Sequence, residues 1–492
     1  MHITFRKLFK DILIYGAGDV ALKATAFITM PIYTRIFTPE DYGVWSFILT
    51  AIGLTSGVVM LGGEAAYARF YFEVKTEAER QTVTSTWIFF LGAWSVLVVL
   101  ACLPFIHVLS QWSFGTALHA RLFAIGLLTM PLTTINAICG QVLRNNFQAR
   151  LFSILNVTSS LLAVALSLFA VLALDMGLTG VFAGLFTAVL MMLPVRLWTA
   201  RSMLRPMFSW GRLRHLLAFG VPYVPATIAY WIFAQSDRIM LAKLSTLAQL
   251  GLYSVASNLT SVLMYTNNAL GQAWSPHAIQ MYEEAPEEAA TFCGHVLTYI
   301  LCGFGLLCVG LTAFSRELLV ILAAPRFHAA ALVVGPLALG ITASATSQVT
   351  ALGITLSKQT RYITIFSWVA AILNLGLNLM LVPRWGMLAA GWTTAASYGF
   401  LTVCYLAVSQ RLQPVVYDTR RVLTAVALVL LFTMAVPLLP ELTWFIGLVF
   451  KAVYCLIFIG SLVITRVIDH REWSHLSSWV HERCHSRRGA NT

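Results

Sequence analysis

Two oppositely charged residues, Asp19 and Lys23, lie inside the first apolar run of the chain, at about residues 12–36. Their spacing of four residues places both side chains on one face of a helix. Charged groups inside such a run are costly and normally face a protein interior or a water-filled cavity. Two interpretations stay open: the pair lines an internal cavity, or each residue neutralises the other and holds this helix against a neighbour.

Six further charged residues adjoin apolar runs, and we take them as candidates for a polar cavity: Arg35, Glu64, Arg69, Asp237, Arg238 and Lys243. Each also has a structural interpretation. Arg69 can extend its charged end to the membrane surface, and Arg35 and Lys243 can act as anchors at helix ends. Asp237 and Arg238 can form a pair that stabilises packing.

The composition predicts an integral membrane protein. Of the 492 residues, 59% are hydrophobic and only 11% are charged, against about 25% charged residues in soluble proteins. The eight cysteines include no CxxC pair and most fall in apolar runs, so we interpret them as buried hydrophobic residues. The net charge of +12 does not require a nucleic-acid partner, because basic loops of a membrane protein account for most of it.

The pattern of apolar runs predicts an all-α protein with about 14 transmembrane helices. Their approximate spans are 12–36, 42–63, 83–106, 119–142, 153–174, 177–198, 216–236, 249–272, 294–314, 331–356, 362–383, 387–408, 421–439 and 443–466. Most of the 32 lysines and arginines fall on the side that holds both termini and the loop from Arg196 to Arg214. This bias predicts cytoplasmic termini, with Asp175 and Glu441 in the periplasm.

The sequence repeats itself weakly at an offset of about 208 residues. "RIFTPEDYGVWS" from Arg35 aligns with "KLSTLAQLGLYS" from Lys243. In this alignment Thr38, Gly43 and Ser46 are identical to Thr246, Gly251 and Ser254. "QAR" from Gln148 aligns with "QTR" from Gln359, and "MGLTG" from Met176 aligns with "WGMLA" from Trp385. Because this offset covers six helices, the two copies share one orientation and form two lobes.

The repeat predicts the domain organisation. We expect a first six-helix lobe at 1–200, a second at 201–410, two additional transmembrane helices at 411–466 and a basic cytoplasmic tail at 467–492. The tail contains several histidines and Cys484, but their spacing matches no standard metal site. We interpret it as a basic helix lying on the inner leaflet, and we predict no metal and no cofactor.

No motif typical of catalysis stands in a loop: HExxH, GxSxG and Walker sequences do not occur in such a position. The predicted connections between spans are also short, about 20 residues at most, and leave little room for an extramembrane catalytic site. We therefore predict that the protein is not an enzyme. Without an ATP site, the energy for any movement must come from an ion gradient, of H⁺ or Na⁺, or from the substrate gradient.

Three segments resemble the polysaccharide-biosynthesis flippases, which include the O-antigen (Wzx-type) exporters of the multidrug/oligosaccharidyl-lipid/polysaccharide superfamily. They are "PIYTRIFTPEDYGVWS", "GGEAAYARFYF" from Gly62 and "SDRIMLAKLSTLAQLGLYSVASNL" from Ser236. The resemblance implies a bacterial inner-membrane flippase that moves a polyprenyl-pyrophosphate-linked oligosaccharide by alternating access. The implied partners are this lipid-linked substrate, membrane lipids and a polysaccharide polymerase.

Two alternatives remain at this point. A cation-coupled exporter of drugs or other small molecules in the same superfamily would use Asp19 as its ion-binding carboxylate. A membrane-embedded polymerase or acyltransferase would need a catalytic constellation that the loops do not contain.

Overall fold

The computed structural model describes residue 25 and residues 27–284, 286–357, 359, 361–413, 417–440 and 443–467. This part of the chain is helical, with short 3₁₀ turns and no β-strand. Residues 27–36 are helical (α1). The predicted all-α membrane fold is therefore confirmed.

Sixteen helices follow α1 in chain order. They are α2 Pro39–Val59, α3 Gly63–Glu73, α4 Glu77–Cys102, α5 Ile106–Phe114, α6 Ala120–Asn145, α7 Ala149–Leu172, α8 Gly177–Ala200, α9 Trp210–Gly220, α10 Val224–Leu244, α11 Leu247–Glu284, α12 Pro286–Leu322, α13 Ala331–Thr350, α14 Leu352–Leu356, α15 Arg361–Leu412, α16 Thr419–Ala435 and α17 Trp444–Ile464.

Within the described ranges, ten helical segments are long and apolar enough to cross a membrane. An eleventh is the bent pair Trp210–Ala229 and Trp231–Leu244, whose halves meet at 43°. The tally treats α15 as one segment, although it contains two predicted spans, 362–383 and 387–408. The predicted span 249–272 lies on α11, and most of the predicted span 12–36 lies outside the described residues. The count is roughly consistent with 14 helices.

Capping residues fix where two of the spans begin. The Thr38 hydroxyl accepts a hydrogen bond from the Asp41 N–H (3.2 Å), and the Thr38 N–H donates to the Asp41 carboxylate (2.9 Å). Thr76 and Glu79 form the same reciprocal arrangement at the start of α4. Each capping box satisfies amide groups that the first turn of a helix leaves free. The "TPED" turn therefore starts α2 two residues after α1 ends.

Glycine breaks the long helix α15 at the position that the repeat matches to the start of α8. Gly386 has φ 54° and ψ −130°, which is not a helical conformation. Gly177, the first residue of α8 and part of the matching "MGLTG" segment, also has φ 54°. Side chains disfavour this left-handed region, so a glycine suits both sites. The two halves of α15 thus correspond to α7 and α8.

The described residues form two compact units by their packing. One contains the described residues up to Val255 together with Ile321–Phe327 and Leu375–Ala390, and the second contains Ala256–Val320, His328–Asn374 and the described residues from Gly391. In the first unit, α6, α7 and α8 pack closely on one another. The lobe boundaries at residues 200 and 410 stay a prediction.

An ion pair connects α17 to α12 inside the second unit. The Lys451 ammonium nitrogen lies 2.5 Å from Glu317 Oε1, and the two side chains are only 13% and 14% exposed. Around α17, Phe458 packs on Phe432 of α16 at 5.2 Å between ring centroids. Both charges belong to apolar helices, so each depends on the other for compensation.

Replacing Glu317 by Gln should destabilise the protein, because it leaves the Lys451 ammonium buried without a counter-charge. Breaking such a pair typically costs about 3–5 kcal/mol. The double variant E317Q/K451M should recover most of the loss, since no buried charge then remains. Thermal unfolding of the purified protein in detergent measures both effects.

Arg212 offers a matched control, because its ion pair with Glu79 (2.9 Å) is solvent-exposed. R212Q should change the unfolding temperature little. Equal unfolding temperatures for E317Q and the wild type would contradict a stabilising role for the buried pair.

Candidate functional site

Helices α2 and α11, which carry the two copies of the repeat, cross each other within the first unit. Each helix begins at a threonine: Thr38 caps α2, and the Thr246 hydroxyl accepts a hydrogen bond from the Gln249 N–H (3.2 Å) in α11. The matched residues of the repeat therefore occupy the same positions in the two helices.

The crossing itself is made by the matched glycines and serines. A methyl group added to Gly43 would overlap the carbonyl of Leu247, and one added to Gly251 would overlap the carbonyl of Pro39. One turn further on, the Ser254 hydroxyl donates a hydrogen bond to Ser46 Oγ (2.7 Å). The two backbones therefore touch directly, as small residues allow in membrane helices.

Arg326 joins the end of α1 to the segment that follows α12. Its guanidinium donates hydrogen bonds to the Thr34 carbonyl (3.1 Å) and the Arg35 carbonyl (2.9 Å), and the Ala324 N–H donates to the Thr34 hydroxyl (3.2 Å). These carbonyls are among the last of α1, where backbone acceptors lack helical partners. The arginine thus caps a helix from another part of the chain.

Aromatic and titratable groups surround the same end of α2. The rings of Tyr42 and Phe327 meet edge to face at 5.2 Å. Burial lowers the pKa of His119, ahead of α6, and the carboxylate of Asp41 partly opposes this shift. The imidazole is therefore neutral at neutral pH.

The predicted cations Arg35 and Lys243 lie beside this assembly. Arg35 is exposed and donates to the carbonyl of Pro31 in its own helix (2.7 Å). The Lys243 ammonium lies 3.6 Å from the ring centroid of Trp112 and donates to the Trp112 carbonyl. Both contacts fit the anchor interpretation, and a contact with substrate stays a prediction for each.

Asp237 is the deeply buried member of the predicted set. It is 4% exposed, in the second half of α10. The Tyr253 hydroxyl and the Asn378 side-chain amide each donate to its carboxylate at 2.7 Å. These bonds connect α10 to α11 and α15 within the first unit. A buried carboxylate can hold a negative charge, a proton or a small cation, depending on its surroundings.

The remaining predicted residues are spread over two helices. Arg238 donates a short hydrogen bond to Gln235 in α10. On α3, Glu64 is exposed in the first turn, and the exposed Arg69 places its guanidinium 4.6 Å from the ring centroid of Phe219. That cation–π contact is a structural role. Asp19 and Lys23 lie outside the described residues.

Two buried charged residues are absent from the set of candidates that the sequence predicts. Glu317 lies in an apolar run, and only its partner Lys451 stood out as a charge inside a predicted span. Arg196 was assigned to a cytoplasmic loop, but it lies within α8 and is 6% exposed. The signal available for Arg196 was its position inside the predicted span 177–198.

The arrangement contains no catalytic constellation among the described residues, and no group of three potential metal-ligating side chains occurs there. What the described part offers is a reciprocal crossing of two repeat helices and a few charges inside apolar helices. Both features suit a protein that changes conformation around a polar passage.

Comparison with known sequences supports this interpretation. The family model described as "Polysaccharide biosynthesis protein" matches residues 8–282. The succinoglycan biosynthesis transport protein ExoT of Rhizobium meliloti is 26% identical over 246 residues, which cover 50% of this chain and 47% of that protein. The chain thus spans about half the length of this curated relative.

Solved structures share the fold. The lipid II flippase MurJ in its inward closed conformation matches with a TM-score of 0.74 at 13% identity, covering 91% of this chain and 98% of that one. An inward-facing multidrug resistance MATE family transporter of the MOP superfamily matches with a TM-score of 0.63 at 14% identity, covering 79% and 93%. At these identities the likeness concerns the fold alone.

Gly43→Ala and Gly251→Ala should each force α2 and α11 apart, because the new methyl groups overlap backbone atoms that cannot rotate away. We expect weaker disulfide cross-linking between cysteines placed at Ser46 and Ser254, in a background without the native cysteines. Gly376→Ala is the matched control, since no atom of the described residues lies within 4 Å of an added methyl group there. Undiminished cross-linking in both crossing variants would refute this close backbone contact.

Proposed function

This chain belongs to the polysaccharide biosynthesis protein family, and we propose that it is a flippase for a polyprenyl-pyrophosphate-linked oligosaccharide. In this proposal it moves the repeat unit of a surface polysaccharide, such as an O-antigen, across a bacterial inner membrane. Both termini face the cytoplasm. The observation that carries the proposal is the family match over residues 8–282 in a chain with a flippase-type fold.

The physical task explains why such a protein needs a polar interior. A lipid-linked oligosaccharide carries sugars and a pyrophosphate, and these groups must pass a hydrocarbon layer about 30 Å thick. A hydrated cleft with positive charge lowers that barrier, while the polyprenyl tail stays in the lipid. The energy comes from the gradient of the substrate or of an ion, and the protein itself performs no chemical reaction.

We assign the pyrophosphate contact to Lys23, with Asp19 as the partner that keeps it charged in the empty cavity. Thr25, two residues further along, is buried, and its hydroxyl lies 3.2 Å from the Ser160 hydroxyl of α7. This hydrogen bond gives the first helix a polar neighbour inside the protein. Charged groups in an apolar run normally face a protein interior or a water-filled cavity, and this favours the cavity interpretation of Asp19 and Lys23 over a face directed to lipid.

Ion coupling, if the protein uses it, would require an ionisable group that the conformational change can expose. Asp237 is our candidate, because its carboxylate is buried and accepts hydrogen bonds from Tyr253 and Asn378. Protonation or binding of a small cation would remove the cost of its buried charge. The coupling ion in this scheme is H⁺ or Na⁺.

The fold likeness to a multidrug resistance MATE family transporter favours one second candidate function, a cation-coupled exporter of drugs or other small molecules. The two functions differ in what accumulates when the protein is absent. A flippase leaves its lipid-linked substrate behind, whereas a drug exporter leaves the cell more sensitive to toxic compounds.

Loss of the gene should leave lipid-linked repeat units on the cytoplasmic leaflet and remove the surface polysaccharide, because assembly precedes transport. Radiolabelled lipid extracts and surface staining measure the two effects. Drug sensitivity should not change. A strain that no longer makes the lipid-linked unit would require an enzymatic role instead, and increased drug sensitivity with normal polysaccharide would favour the exporter.

Lys23→Ala should abolish export while the protein remains in the membrane, and Lys23→Arg should keep part of the activity because it keeps the charge. Asp19→Asn should weaken export less. The double variant Asp19→Asn with Lys23→Met tests the structural alternative, since it removes both charges. We expect this double variant to insert normally and not to export, whereas wild-type export by it would eliminate the substrate contact.

A further inference from the structure

Arg196 of α8 is a buried cation with neutral partners. Its Nη2 donates to Asn156 Oδ1 (2.6 Å) and to Ser159 Oγ (3.3 Å), both on α7, and its Nε has no hydrogen-bond partner. The side chain belongs to a residue that is only 6% exposed. Among the residues that the structure describes, no carboxylate forms an ion pair with it.

This arrangement leaves a positive charge uncompensated inside an apolar bundle. Neutral oxygens stabilise a guanidinium only in part, and an isolated buried charge normally requires a counter-charge. A glutamine could connect α7 and α8 through the same two oxygens without that cost. The presence of a charged rather than a neutral side chain at this position therefore requires an explanation. An anion that binds from outside the chain provides one.

The depth of Arg196 suits a headgroup. It lies seven residues before Met203, where the helical segment that begins at Gly177 ends, so it is about 10 Å from that end. Asn156 lies at the same depth, about 10 Å from the start of α7 at Ala149. A segment about 40 Å long extends about 5 Å past each face of a hydrocarbon core of about 30 Å, so Arg196 lies about 5 Å inside that core, from where a long side chain can reach toward the headgroup region.

The wall beside Arg196 is closely packed and contains unpaired polar atoms. A methyl group added to Gly140 of α6 would lie 3.4 Å from Arg196 Nη1 and 3.2 Å from the ring of Phe152. Gln141, the next residue, is 3% exposed, and neither of its amide atoms has a hydrogen-bond partner. The exposed Arg144 lies over the Phe152 ring at 5.3 Å from its centroid. A partly buried aromatic ring thus borders both an exposed and a buried arginine.

We propose that the junction of α6, α7 and α8 is a phosphate-binding site, in which Arg196 binds a phosphate group through its Nε, which has no hydrogen-bond partner, and through Nη2, where the phosphate replaces the contact with Ser159 Oγ (3.3 Å). Guanidinium groups bind phosphate through two parallel hydrogen bonds, and this geometry makes arginine better suited to the task than lysine. The phosphate belongs to an anionic lipid headgroup or to a free phosphate ion. The site does not depend on the proposed flippase activity, because a drug exporter of this fold could hold the same group.

Thermal unfolding of the full-length protein in detergent tests the site with three probes: phosphatidylglycerol, inorganic pyrophosphate and uncharged diacylglycerol. We expect phosphatidylglycerol to raise the unfolding temperature of the wild type and diacylglycerol to have little effect. Stabilisation by pyrophosphate as well would indicate that phosphate alone suffices, and stabilisation by phosphatidylglycerol alone would identify the lipid as the source. Equal effects of phosphatidylglycerol and diacylglycerol, or no effect of either phosphate probe, would overturn the proposal.

R196Q should lower the apparent affinity for the stabilising probe about tenfold or more, which corresponds to the loss of a charge-assisted hydrogen bond. R196K should keep part of the affinity because it keeps the charge. R201Q is the matched control: Arg201 is exposed near the same helix end, where its guanidinium lies 4.5 Å from the Trp198 ring centroid. If R196Q binds the probe as well as R201Q does, the proposal is wrong.

A second variant separates binding from folding. R196Q leaves no buried charge without a partner, but it can weaken the contact between α7 and α8. The double variant R196M/N156L replaces the pair by apolar side chains and should restore thermal stability without restoring the response to the phosphate probe. A stable double variant that still responds to phosphatidylglycerol as the wild type does would also overturn the proposal.

Discussion

A peptide group or a charge inside a lipid bilayer has no water to bind, and the architecture of this chain follows from that constraint. The described residues form helices because a helix satisfies its own backbone hydrogen bonds. Where a helix begins or ends, another group supplies the missing partner: Asp41 at Thr38, and Arg326 at the carbonyls of Thr34 and Arg35. The chain therefore connects its helices through their ends as well as through their apolar faces.

The charges inside the helices meet the same constraint in three different ways. Lys451 and Glu317 neutralise each other, so their pair can be purely structural. Asp237 accepts hydrogen bonds from the Tyr253 hydroxyl and the Asn378 side-chain amide. Arg196 is held by neutral acceptors and keeps its full charge. These charges thus differ in the partners that hold them.

The length of the apolar runs predicted the helical fold and the approximate number of spans, because each span is a local property of about 20 residues. The repeat predicted that Gly43 and Gly251 occupy equivalent positions, but it did not predict that they touch. Contacts between helices depend on the rotation of each helix about its axis and on its neighbours, and one sequence does not encode these directly. For the same reason Glu317 could not be paired with Lys451, and Arg196 was taken for a loop residue although α8 continues to Ala200.

The contacts at the crossing of α2 and α11 are reciprocal between the two copies of the repeat. Gly43 lies against Leu247, and Gly251 lies against Pro39, which is the residue that the repeat matches to Leu247. A two-fold axis produces reciprocal contacts of this kind, and here it relates the two copies of the repeat within one chain. The hydroxyl pair of Ser46 and Ser254 lies where such an axis passes, since each serine is the other's equivalent. At this crossing the contact consists of backbone and two hydroxyls rather than interlocked apolar side chains, so separating the helices there exposes little apolar surface.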